Sequence, residues 1–96
     1  MKTRAKVRTE KRSSRAATLA GLVVAGTGLA HFANPKAFEP ITVAAFPDNT
    51  RRHVYTNGSI ETAIGLALAG RRTRRLGLAG LLGYGAYLAG NTVRSR

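Results

Sequence analysis

Three stretches of this chain are nearly free of charge, and basic residues fence each of them. Residues 16–35 lie between Arg15 and Lys36 with no acid, lysine or arginine. Residues 53–70 lie between Arg52 and Arg71 with Glu61 as their one carboxylate, and residues 76–93 lie between Arg75 and Arg94 with no charge. A helix rises about 1.5 Å per residue, so windows of about 18 to 20 residues span roughly 27–30 Å, the depth of a bilayer's hydrocarbon core. The pattern predicts an all-α fold: a transmembrane bundle of three helices, over about 16–33, 54–70 and 76–93, in a cell inner membrane.

Charge alone would suggest a nucleic-acid binder, since 16 Lys+Arg stand against 4 Asp+Glu for a net charge of +12. The distribution argues against that. Seven cations fall in residues 1–15, four in Arg71, Arg72, Arg74 and Arg75, and five elsewhere. These clusters also explain a mean hydropathy of only −0.12 in a chain with three apolar windows. A soluble basic nucleic-acid-binding protein is the competing class, but the expected partners are lipid and other membrane subunits or a second copy, with no nucleic acid. The chain has no cysteine, which excludes disulfides and thiolate metal sites, and two histidines are too few for a protein-built metal centre. No metal and no cofactor is predicted.

Residues 1–15 are polar and basic with no apolar face and read as a cytoplasmic tail loosely ordered against anionic headgroups. Arg12, Arg15, Arg71, Arg72, Arg74 and Arg75 are the expected headgroup contacts. In the first window Ala17, Gly21 and Ala25 recur every fourth residue, the small-residue pattern that lets helix backbones approach. Asn34-Pro35 ends that helix, because a residue preceding proline disfavours the helical region. A cleaved signal peptide would also begin basic and continue apolar, with Gly28 and Ala30 as small residues near a cut. Against it, the apolar run continues to Ala33 and two more bilayer-length windows follow.

Residues 34–53, with three prolines and Phe38, Ile41, Val43 and Phe46, read as a connection lying at the membrane interface. The third window puts Gly77, Gly80 and Gly83 on one face, the expected packing face of that helix. Residues 71–75 form a basic cytoplasmic loop and residues 94–96 a C-terminal tail. With the N-terminus inside, eleven cations lie on the cytoplasmic side and five outside, as the positive-inside rule requires. The C-terminus is then outside.

Two blocks carry a resemblance. His31-Phe32-x-x-Pro35-x-x-Phe38-x-x-Ile41, with Pro47 beyond, resembles the end of the first helix and the following loop of DoxX-like small membrane proteins. Gly58-x-x-Glu61-x-x-x-Gly65-x-x-Leu68, followed by Thr73-Arg74-Arg75, resembles their second helix and second loop. The likeness extends over about residues 20 to 91, with Asn91 where the third helix often ends. It implies a four-helix membrane bundle, of which this chain holds three helices, so that a partner or second copy would cover the open face. The family's namesake is a membrane subunit associated with quinone-linked redox complexes, which makes a quinone the cofactor class the resemblance admits.

Glu61 and His31 are the candidate ligand or proton site. Glu61 sits about seven residues into its helix, roughly 10 Å below the interface, where a carboxylate must take up a proton or find a donor. His31 lies at similar depth. Together they can take a proton, bind a quinone carbonyl or clamp a cationic group; alternatively Glu61 only fixes packing through neighbouring hydroxyls and backbone. His31 alone reads as an interfacial or capping residue, and His53 as a solvated one. No serine has a base and acid in a motif context, and Gly70-Arg71-Arg72-Thr73 lacks the glycine spacing and lysine of a phosphate loop. The sequence therefore predicts a non-catalytic accessory subunit or small-ligand binder of a larger membrane assembly. The alternative is a proton- or quinone-handling component acting through Glu61 and His31.

Overall fold

The computed structural model describes residues 4–96, the side chain of Thr9 excepted, so Met1–Thr3 of the basic tail lie outside the described residues. Four helices follow in order: α1 Arg4–Ala33, α2 Pro35–Ala45, α3 Thr50–Ala69 and α4 Arg74–Arg94. The all-α expectation is met. The boundaries and the arrangement differ from the sequence reading in three places.

The tail expected to be loosely ordered is helical from Arg4 and runs without a break into the first apolar window. Its Arg, Lys, Ala and Glu residues are strong helix formers, and no glycine or proline interrupts the chain before Gly21. The resulting helix is about 45 Å long on the standard rise. It gives the molecule its 55 Å long axis.

The connection expected over 34–53 contains α2. Pro35 occupies the first turn, where its missing N–H is one that would have had no intrahelical partner anyway. Pro40 lies inside the helix but on its exposed side, where water can serve the carbonyl it leaves unpaired. At about 16 Å, α2 is too short to cross a bilayer. Phe46 N–H bonds back to the Thr42 carbonyl, and the chain then turns through Asn49 at φ 52°, a left-handed conformation that asparagine tolerates better than most residues. Thr50 Oγ1 donates to the Phe46 carbonyl at 2.7 Å, and Arg51 donates to Glu39 at 3.0 Å, tying α2 to the start of α3.

The third difference is the layout. α3 lies in the middle, with α1 on one side and α4 on the other, and α1 and α4 do not meet backbone to backbone. The thinnest dimension, 18 Å, is less than two helix diameters. The three long helices form an open layer instead of a closed bundle, and α2 caps one end of it against all three.

Glycine sets the α1–α3 spacing. A Cβ on Gly21 would lie 2.6 Å from the Gly65 carbonyl oxygen, and one on Gly28 would lie 2.7 Å from that of Gly58. The two pairs run antiparallel and are each seven residues apart, two turns of helix, so they repeat on one face. The expected packing residues Gly21 and Ala25 are buried here, and Ala17 is half-buried. On α4, Gly77 packs on Leu68 and Gly80 on Ile64 as expected. Gly83 does not: nothing lies within 4 Å of its Cβ position, because α4 has diverged from α3 by that height.

The turn between α3 and α4 satisfies the end of α3. The last four carbonyls of α3 accept, in order, from Gly70 N–H, Thr73 Oγ1, Arg74 Nε and Arg74 Nη2. Arg74 also reaches Thr18 on α1 at 3.2 Å.

The interior mixes small, polar and apolar residues, while much large apolar surface faces outward. Buried positions include Gly21, Ala25, Gly28, His31, Thr42, Asn57, Gly58 and Gly65, with Phe46, Val54, Ile64 and Leu68 as the larger apolar members. Leu82 is 76% exposed and Val23 68%, with Leu19, Leu22, Leu29, Ile41, Leu66, Leu76 and Leu78 also facing outward. Among the described residues α1 alone is long and apolar enough to cross a membrane by length and composition, and only 22% of its apolar window is buried. The two further helices expected to span fall short of that measure. α3 is diluted by Arg51, Arg52, Asn57 and Glu61, and α4 by glycine, tyrosine and Asn91.

Candidate functional site

Glu61 stands at the centre of the buried stripe of α3. Gly58 and Gly65, on either side of it, hold α1 close, while Ile64 and Leu68 face α4. Its side chain is therefore flanked by both neighbouring helices. From α1, His31 brings Nε2 to 3.4 Å of Glu61 Oε2. From α4, the Tyr84 hydroxyl donates to the same oxygen at 2.7 Å. The sequence pairing of Glu61 with His31 is thus realised in space, with Tyr84 as a third member.

His31 Nδ1 lies 2.7 Å from the Thr27 carbonyl, which can only accept, so Nδ1 carries a hydrogen and the ring is held with Nε2 toward Glu61. The 3.4 Å between Nε2 and Oε2 is a close polar contact, longer than the bond from Tyr84 to the same oxygen. The short Tyr84 bond matches a donor meeting a carboxylate oxygen.

Two further residues hold the histidine. Phe38 of α2 stacks on its ring at a centroid distance of 3.8 Å and 20° between planes. Gly58 supplies the space, since a Cβ there would lie 2.5 Å from His31 Cβ and 3.0 Å from Cγ. Any side chain at 58 would push the ring out of the site.

Beside the pair lies a cavity of about 280 Å³ bounded by all four helices. His31, Glu61, Tyr84, Asn57, Thr42 and Thr92 give it polar walls, and Ile41, Phe46 and Leu88 apolar ones. Asn57 is 4% exposed, and its Oδ1 has no hydrogen-bond partner. Thr92 spends its hydroxyl hydrogen on the Leu88 carbonyl and turns its lone pairs outward. His53, expected to be solvated, stacks on Phe46 at 4.2 Å and stays outside this cavity.

The basic candidates lie at the far end of the molecule. Arg15 and Arg71 line an open groove with Lys11 and Ser14, and Arg12, Arg72 and Arg75 are exposed. Arg74, one of the expected headgroup contacts, instead spends its guanidinium on the carbonyls ending α3 and on α1. Among the described residues no group of three or more His, Cys, Asp or Glu side chains is placed to hold a metal.

Sequence reasoning missed Asn57, Gly58 and Tyr84 as site residues. Gly58 carries a usable signal, one helical turn before Glu61. Asn57 carries none.

A family model matches residues 19–93 of this chain, a domain of unknown function, DUF8561. The chain belongs to that family. No curated protein and no solved structure matches it. The DUF8561 domain contains every residue of the cavity, from His31 to Thr92, together with the arginine loop at 71–75. The basic half of α1, with Arg12 and Arg15, lies outside the matched region.

Proposed function

We propose that this DUF8561 protein is a multi-pass inner-membrane protein, a non-catalytic accessory subunit that binds a small polar ligand in the cavity beside Glu61. In this reading α1, α3 and α4 cross the bilayer with the N-terminus inside, and α2 lies at the outer interface. The observation that carries it is the outward placement of large apolar side chains. A soluble chain of this size would gain by burying Leu19, Leu22, Val23, Leu76, Leu78 and Leu82, yet these face outward, while the core combines Phe46, Val54, Ile64 and Leu68 with glycine, alanine and polar groups. In lipid that arrangement is favourable, because helices associate there through close small-residue contact and hydrogen bonds. The sub-threshold polarity of α3 and α4 has the same explanation, since Glu61, Asn57 and Tyr84 are satisfied by, or enclosed between, neighbouring helices. A cleaved leader fits poorly with Gly21 and Gly28 built into the α1–α3 contact.

The resemblance to DoxX-like proteins joins this proposal. Its first block contributes His31 and Phe38 and its second Gly58 and Glu61, and these four residues surround one another. The open layer leaves one face of α3 and α4 for another subunit or a second copy. A proton-handling role through His31 and Glu61 is the second reading, favoured by the 3.4 Å approach of these two titratable groups between helices.

The chain lacks cysteine, so single thiols report topology cleanly. Ser95→Cys should react with an impermeant maleimide on intact cells, and Ser13→Cys and Thr73→Cys only after permeabilisation. Release of the protein by high salt without detergent, or labelling of Ser95→Cys only from inside, would refute the three-span arrangement.

A further inference from the structure

Arg15 closes the first apolar window and Arg71 the second, and the structure brings the two side by side. They line an open groove of about 540 Å³ with Lys11, Ser14, Thr18 and Leu19. On α1 these residues recur at helical spacing, so Lys11, Ser14, Arg15, Thr18 and Leu19 share one face. Glu10, next to Lys11 in the chain, is not among the walls, which carry three cations and no carboxylate. The groove departs from the even headgroup contact expected of six arginines. Arg74 is spent on the end of α3, and Arg12, Arg72 and Arg75 stand outside, while Lys11 joins it.

The floor of the groove is hydrogen-bonded in advance. Ser14 Oγ accepts from Arg71 Nε at 3.1 Å and from Arg74 Nη1 at 3.5 Å. Arg71 is thereby anchored through one nitrogen and keeps both Nη groups for a forked contact, and Ser14 keeps its own hydrogen to donate. Thr18 gives its hydrogen to the Ala69 carbonyl and offers none to an anion. Lys11 and Arg15 supply the remaining donors, and both are exposed. An oxyanion with several acceptor oxygens fits this set, phosphate above all. The other end of the groove is apolar. Leu19 is 64% exposed, and the exposed Leu22 and Val23 continue the same face one turn further on. Lys11 and Leu19 lie about 12 Å apart along α1, so one molecule would meet cations first and hydrocarbon next. That order of surfaces matches an anionic phospholipid and not free phosphate.

We propose that Lys11, Ser14, Arg15 and Arg71 hold the phosphodiester of one anionic phospholipid, with an acyl chain lying along Leu19, Leu22 and Val23. The assignment rests on the membrane-spanning reading above. The probe is dioleoyl phosphatidylglycerol, added to the full chain in mild detergent and followed by native mass spectrometry beside dioleoyl phosphatidylcholine. One retained phosphatidylglycerol per chain is expected, with phosphatidylcholine held at least fivefold more weakly. Lys11→Gln combined with Arg15→Gln should cut retention at least fivefold; both side chains are exposed, so the fold should stand. Arg12→Gln combined with Arg75→Gln removes the same charge outside the groove and should change retention less than twofold. Equal loss in the two pairs, or equal retention of the two lipids, would overturn the site. If the protein still needs detergent to leave the membrane, the spanning arrangement survives that result. Displacement of the bound lipid by millimolar inorganic phosphate would overturn the lipid assignment in favour of a soluble phosphate ligand. Release from the membrane by high salt alone would overturn the site and the spanning arrangement together.

Discussion

Replacing Gly65 by alanine tests whether glycine sets the distance between α1 and α3. The new Cβ would lie 2.5 Å from the Gly21 carbonyl oxygen and 2.6 Å from Ala25 Cα, where ordinary contact begins at 3.4 Å. These neighbours, and the Ala25 amide nitrogen that lies closer still, are backbone, so no rotamer relieves the overlap, and the helices must part by roughly 1 Å. Such a gap forfeits about a quarter to a half of the dispersion energy of each facing atom pair. Overpacking of this kind costs about 1–3 kcal/mol. Alanine also raises helix propensity by about 0.8–1 kcal/mol over glycine. Gly26→Ala isolates the steric term, because nothing lies within 4 Å of its Cβ position and the propensity gain is shared. The two variants should therefore differ by about 2 kcal/mol, or roughly 8–16 °C in Tm for a domain of this size. Thermal melts followed by circular dichroism in one detergent give the comparison. Gly65→Ala melting within about 4 °C of Gly26→Ala would refute the close-approach argument. Gly21→Ala combined with Gly65→Ala should cost less than the sum, since either change alone already separates the helices.

Tyr84→Phe removes the hydroxyl held by Glu61 and should cost about 1.5–3 kcal/mol of resistance to denaturing detergent, with helicity unchanged. Glu61→Gln should retain most of the fold because an amide keeps hydrogen-bonding capacity, while Glu61→Leu strands the Tyr84 hydroxyl and His31 Nε2 and should reduce accumulation; equal abundance of both variants would speak against a buried polar centre. Arg74→Ala should lower Tm by several degrees because the Leu68 and Ala69 carbonyls lose a donor, while Arg75→Ala, at an exposed position, should stay within about 0.5 kcal/mol of wild type.

The helices were legible where one residue's chemistry acts locally. Asn34-Pro35 marked the end of α1, and small residues every four positions marked the face carrying Gly21 and Ala25. α2 was hidden because two of its eleven residues are prolines, which mark a break in any window average. They are tolerated here because one sits in the first turn and the other faces outward. The helical start at Arg4 was hidden for another reason. A run of like charges reads as a solvated tail, yet arginine and lysine favour helix intrinsically, and continuity with α1 spares the cost of a new nucleus. Gly83 misled because spacing along α4 says nothing about where its axis leaves α3.

The site was half legible, and the division follows from the kind of signal each residue carries. A lone acid in an apolar window is conspicuous by its cost, so Glu61 stood out, and depth alone brought His31 beside it. Tyr84 and Asn57 have ordinary roles in ordinary helices, and only antiparallel register gives them meaning. Gly77 on Leu68 and Gly80 on Ile64 fix that register for α4, and one further turn carries Tyr84 to the height of Glu61. On the other side, Gly21 against Gly65 and Gly28 against Gly58 place His31 beyond Glu61 along α1 but within reach of its side chain. The glycines thus do more than allow close approach. They set the two registers that bring one side chain from each flanking helix onto a single carboxylate oxygen. A substitution at Gly58 or Gly65 should therefore disturb the His31–Glu61 pair before it unfolds the protein.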